Sequence, residues 1–256
     1  TLAKFGGYDV VLAASAANSI SGSPFVDKKM NGKAKLFGGI VTLDGLATLT
    51  NEPKYQVQMN FNNMFLQQFA ALHAPKQRVL RGVINGRINL NGKGSSTKNV
   101  KGNGVIVINP ARLLSVPVVL EIYDKLNLTQ KDSTFDSALF DFEIRDARFD
   151  FKQIILDSKT LKLSGYGAVK FNTDVDLKFF SELGRNQVPI PLLHELLGEA
   201  TRGWVGFEVT GKLDRPQTTT IPAPMLNNFL KALIGGTLPQ PSFPIRQGNL
   251  PRSPAR

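Results

Sequence analysis

His73 and His194 are the whole histidine content of this 256-residue chain, and cysteine is absent. A histidine-rich metal site or a Ser-His-Asp triad would have to be built on one of those two residues. Each lies in an apolar helical pattern, where packing or surface exposure accounts for it. Without cysteine there are no disulfides, thiolate metal sites or cysteine nucleophiles, a state compatible with any compartment. SSTK at 95–98 has S-x-x-K spacing, but no S-D-N or K-T-G follows it. GKGSST at 92–97 has some likeness to a phosphate loop, yet Lys93 is followed by Gly94 instead of Ser or Thr, and the upstream glycine spacing is wrong. GNG at 102–104 lacks the third glycine of a dinucleotide fingerprint and leads into VIVI, a strand where that fingerprint needs a helix. Carboxylates are numerous, but their spacing selects no catalytic pair. The expectation is a protein that is not an enzyme, with no metal site and no cofactor.

The elements that would have to position any site are mostly strands. TLKLSGYGAVKFNTDVDLKFF at 160–180 alternates with period two, setting Leu161, Leu163, Gly165, Gly167, Val169 and Phe171 on one parity. Phe140, Phe142 and Ile144 likewise face away from Asp141, Glu143 and Arg145, and Phe149 and Phe151 follow. Earlier strands are predicted near 7–15, 33–43, 46–50 and 54–61, with the Asp44-Gly45 pair as a hairpin turn. Two more are predicted within RGVINGRINLNGKGSS and VKGNGVIVINP, and 204–212 is read as the last. Helices are predicted at 62–73, carrying Met64, Phe65, Phe69 and Leu72 on one face, and at 111–127, where Pro117 should kink or restart the helix. Others are predicted at 189–200 and 224–236. The tail beyond 236 is rich in proline and arginine without acidic residues, and reads as disordered.

The formal charge of +11 points to an acidic partner surface, although lysines alternating with apolar residues along strands also serve as solubilising charge. No run reaches the roughly 18 apolar residues of a spanning helix. The chain begins TLAKFGGYDVV, without an initiator Met or a signal-peptide pattern. It reads as a C-terminal fragment, with any leader or anchor upstream.

From about residue 80 to 217 the chain resembles the C-terminal region of AsmA-like proteins, relatives of TamB and of the bridge-like lipid transfer proteins. The matching pieces, in order, are GKGSSTKNVKGNG, VIVINPARLLSVPVVLEIYDKL, TFDSALFDFEIRDARFDF, LDSKTLKLSGYGAVKF with VDLKFF, and VTGKLDRPQ. The resemblance implies a mainly β fold with a few short helices, a strongly curved antiparallel sheet forming an open trough or half-barrel with an apolar inner face. It also implies a periplasmic location, an inner-membrane anchor upstream, and a part in phospholipid movement or outer-membrane maintenance.

On this reading residues 1–79 form a meander plus short helix continuous with the following sheet, and 80–217 the AsmA-like β domain. An amphipathic helix follows at 218–236, and a tail at 237–256. The groove is expected to be lined by Phe140, Phe142, Ile144, Leu161, Leu163, Gly165, Gly167, Val169, Phe171 and Leu177, with phospholipid or another acyl lipid as partner. Met225, Phe229, Leu230 and Leu233 are the expected contact for an envelope protein, and no nucleic-acid partner is expected. The same apolar residues also fit the core of a closed sandwich or barrel, in which case the protein is an envelope scaffold. Gly165 and Gly167 are expected to give curvature or clearance for a ligand, so leucine there should reduce lipid occupancy more than folding.

Overall fold

In a computed structural model the described residues are 2–5, 8–16, 27–48, 50–73, 80–113, 115–128, 135–159, 161–183 and 204–221. They form one mainly β structure, a 13-stranded sheet in which each strand pairs antiparallel with its sequence neighbours. The strands are β1 (Leu2–Phe5), β2 (Tyr8–Ala16), β3 (Asp27–Leu36), β4 (Gly39–Thr48), β5 (Lys54–Phe65), β6 (Val83–Lys93) and β7 (Lys101–Ile108). They continue as β8 (Ser137–Arg145), β9 (Arg148–Asp157), β10 (Leu161–Lys170), β11 (Asp174–Leu183), β12 (Trp204–Lys212) and β13 (Arg215–Ile221). β1 and β13 are the edges, so the sheet is not closed. Two helices interrupt it, α1 (Leu66–His73) after β5 and α2 (Pro117–Lys125) after β7. In an antiparallel meander both therefore lie at the same end of the sheet. No helix among the described residues is long and apolar enough to cross a membrane.

Several expected boundaries move. The strand expected at 33–43 is two strands, because the β3–β4 hairpin turns at Phe37 and Gly38, with φ of 51° and 75°. Two consecutive positive φ values give the primed turn whose twist suits a two-residue hairpin. Asp44 and Gly45, expected to be the turn, lie inside β4, opposite Asn31 and Met30 of β3. β5 runs on through Met64 and Phe65, so α1 begins at Leu66. α2 starts at Pro117, which sits at the first helical position where its missing N–H costs nothing. Lys212 does not end the sheet: β13, RPQTTTI, pairs with β12 from Lys212↔Arg215 to Gly206↔Ile221. Pro216 is tolerated there because β13 is an edge strand. The helices expected at 189–200 and 224–236, and the tail, lie outside the described residues.

Two bulges keep the alternation in step. On β5, Phe61 pairs with Gly86 but Met64 with Ile84, and Asn63 adopts φ of 55°, a left-handed conformation that asparagine accommodates. On β9, Gln153 pairs with Asp141 but Phe151 with Phe142, leaving Lys152 as the extra residue. The slip puts Phe149 and Phe151 on the same face as Ile154 and Leu156, which strict alternation would have set on opposite sides.

Candidate functional site

The register lines residues of one parity into rungs that run across the strands. One rung passes from Gly32 through Leu43, Met59, Ile88, Gly104, Phe142, Phe151, Gly167 and Leu177 to Val209. On one side of it lies a rung from Ala34 through Val41, Phe61, Gly86, Ile106, Phe140, Ile154, Gly165 and Phe179 to Phe207. On the other side Met30, Gly45, Val57, Leu90, Gly102, Ile144, Phe149, Val169 and Val175 follow one another. All three consist of apolar residues and glycine. The opposite parity carries Lys29, Asp44, Gln58, Asn89, Asn103 and Glu143 among others.

Burial along these strands is graded. A fourth rung at the helix end, from Met64 through Ile84, Ile108, Ala138, Leu156, Leu163 and Ser181 to Val205, is buried throughout, and the Ser181 hydroxyl donates to the Val205 carbonyl. There α2 contributes Val118, Val119, Ile122 and Tyr123 to the same apolar cluster as Leu163, Phe207 and Val209. Phe135, fully buried, stands edge-on to Tyr123 with ring centroids 6.1 Å apart. Away from that end, Leu43, Val57, Met59, Ile88 and Leu90 on β4–β6 stay half-buried.

Of the residues expected to line a groove, Phe142, Ile144, Leu161, Leu163, Gly165 and Leu177 are buried in the protein itself. Phe140, Gly167 and Val169 are half-buried, and Phe171 is exposed, in the turn after β10. Phe142 packs edge-on against Phe149 and Phe151 at 5.4 and 5.7 Å, and Phe149 reaches Phe171 at 5.2 Å. Part of the aromatic strip thus faces solvent at the end opposite the helices. Sequence reading passed over the half-buried residues of β4–β6, because their strands interleave Gln and Asn with single apolar residues. The signal was there in the alternation of KYQVQMNF and VINGRINL.

Gly165 and Gly167 have a role inside the protein. A Cβ at Gly165 would lie 2.5 Å from Cδ1 of Phe179, whose ring covers it from β11. Gly167 has φ of 131°, and a Cβ there would run into the Asp176 carbonyl oxygen. The β9 bulge lies beside both. Gly167→Leu is therefore expected to lose about 2–3 kcal/mol of folding stability, from backbone strain and forced repacking. This reverses the expectation that lipid occupancy would suffer first. A denaturant melt within 0.5 kcal/mol of the parent would contradict it.

The polar parity carries ion pairs on β8–β12. Arg145 Nε bonds Asp150 Oδ2 at 2.5 Å, and Arg148 Nε lies 2.9 Å from its other oxygen. Burial alone would raise the Asp150 carboxyl, but the two guanidiniums outweigh it and hold the group below the ordinary carboxylate value. Lys152 Nζ bonds Glu143 at 2.7 Å, which raises its own pKa. These are solvent-side pairs of small energetic weight.

Among the described residues, which exclude His194, none of the chemically suggestive sequences assembles into a catalytic arrangement. SSTK lies in the β6–β7 connection, where Ser96 Oγ accepts from the Lys98 N–H at 3.4 Å to cap a short 3₁₀ turn, Thr97–Asn99. GNG is within β7, and His73 closes α1. No cluster of three or more metal-ligating side chains occurs among the described residues. Comparison with family models, with curated proteins and with solved structures returns no match for this chain.

Proposed function

We propose that this protein is a lipid-binding or lipid-transfer module of the cell envelope, holding acyl chains along an apolar trough without chemical catalysis. The observation that carries the reading is the set of uninterrupted apolar rungs, left half-buried over β4–β6. At about 4.8 Å per strand the rung from Leu43 to Val209 spans about 38 Å across nine strands.

Curvature is supported by α2. It arises between β7 and β8 yet packs against β13, five strand spacings or about 24 Å away in a flat sheet. Curling the sheet around the helix brings the two together, with α2 closing one end of the trough and the opposite end open. A sixteen-carbon chain laid along the rungs gains on the order of 12 kcal/mol from burial, comparable to the cost of its exposure to water. A continuous apolar path therefore lowers the barrier to lipid transit.

The likeness to AsmA-like proteins supports phospholipid as the cargo and the periplasm, with an inner-membrane anchor, as the setting. The envelope-protein contact through Met225, Phe229, Leu230 and Leu233 is part of the same proposal. The second reading, a scaffold with a filled β core, draws on the buried rung beneath α2. Native mass spectrometry of the chain purified from bacteria, with lipid extraction, separates the two. Bound phospholipid is expected; a lipid-free protein that also ignores fluorescent phospholipid leaves the scaffold.

A further inference from the structure

The two halves of the sheet differ in charge. Described residues between 29 and 108 include nine Lys or Arg against two acids, Asp44 and Glu52. In the described residues from 135 to 221, nine Lys or Arg face eleven acids. The ion pairs follow this division: Arg145, Arg148, Lys152, Lys170, Lys178 and Lys212 all take part in them, and on β3–β7 Lys93 pairs with Glu52.

The register gathers the excess at one place. Lys29, Leu46, Gln56, Asn91 and Lys101 form a rung on the polar parity, and beside it Lys54 stands directly opposite Lys93. Like charges opposite each other across strands are destabilising, and the ion pair of Lys93 with Glu52 offsets part of that cost. Two adjoining open depressions of about 500 Å³ each occupy this region and share Leu46 and Gln56. Lys54, Lys93 and Lys101 line one, and Lys29 with Asp44 the other. Leu46, 48% exposed, is the register partner of Lys29 and lines both depressions.

We propose that the polar face of β3–β7 docks onto an anionic phospholipid bilayer, with Lys29, Lys54, Lys93 and Lys101 as its contacts. Broadly spaced lysines around an exposed leucine match a surface of phosphate headgroups above an apolar layer. Tyr55 also lines the depression of Lys54, Lys93 and Lys101, but it belongs to the opposite parity, paired with Gly92, so the lysine rungs themselves offer no row of rings for bases to stack on. The proposal concerns the face opposite the apolar rungs and stands independently of what those rungs hold.

The test is co-sedimentation of the 256-residue chain with vesicles of phosphatidylcholine alone or mixed with phosphatidylglycerol, at low and high salt. Binding is expected only with phosphatidylglycerol, and to weaken with salt. Lys54→Gln, Lys93→Gln and Lys101→Gln together should reduce it about a hundredfold, at roughly fivefold per lysine. Lys159→Gln with Lys162→Gln should leave it unchanged. The triple variant should melt no lower than the parent and keep any lipid seen by native mass spectrometry, so loss of vesicle binding does not bear on the trough. Equal binding by parent and triple variant overturns the proposal. So does indifference to phosphatidylglycerol, or displacement of the vesicles by duplex DNA with the same lysine dependence.

Discussion

On the proposed lipid-binding role, aspartate at both Met59 and Ile88 is expected to empty the protein of lipid while leaving it folded. The two residues are direct partners on β5 and β6, half-buried, and outside the buried apolar cluster, so a carboxylate at either position can stay hydrated. A tail lying on the rung would lose contact for about two methylenes at each site. Four methylenes at about 0.8 kcal/mol give about 3 kcal/mol, or roughly a hundredfold in affinity. The conservative pair Met59→Leu and Ile88→Val should retain lipid. Native mass spectrometry of each variant reads the outcome directly. A well-folded double aspartate variant carrying as much lipid as the parent would remove the rungs of β4–β6 from any lipid-binding role.

Phe135→Ala is expected to have the largest effect on stability. Phe135 is fully buried and holds Tyr123 of α2 edge-on, so truncation leaves a cavity at the place where the helix meets the sheet. Large-to-small changes of this kind cost about 3–5 kcal/mol, which should lower the melting temperature by about 10 °C. Because α2 also packs on β13, its loosening should speed amide hydrogen exchange in Arg215–Ile221, five strands away from the β7–β8 connection. A melting shift below 3 °C, or unchanged exchange in β13, would show that α2 does not tie the edge strand down.

Much of this architecture was legible where alternation was clean. LFDFEIR and LKLSGYGAV declared their parity, and the structure pairs them through β9 as neighbouring rungs. Turns were harder. The β3–β4 and β8–β9 hairpins turn on Phe37-Gly38 and Asp146-Ala147, three of them non-glycine residues at positive φ, so no short-range signal marked them. Asp44-Gly45 carried the expected signal and became strand, because pairing with both β3 and β5 outweighed the local preference for a turn. β13 escaped because TTT and Pro216 give no apolar alternation, which an edge strand does not require. The residues of greatest interest for lipid were passed over for a related reason. Phenylalanine-rich strands attract attention as a site, but here Phe140, Phe142, Phe149 and Phe151 pack against one another, and the more open positions belong to strands of ordinary amides. In β9 the step from Phe151 to Ile154 already broke the period of two, and a bulge could have been inferred from it.

The strictly neighbour-to-neighbour order of the strands bears on how such a protein is made. No strand waits for a distant partner, so each hairpin can be added to a finished edge as the chain leaves the ribosome, and contact order stays low for so large a sheet. Assembly of this kind grows in one direction with nearly the same step each time, as in solenoids. Insertion or deletion of a hairpin would change the length of the sheet without renegotiating the remaining pairings, so reach can evolve independently of fold.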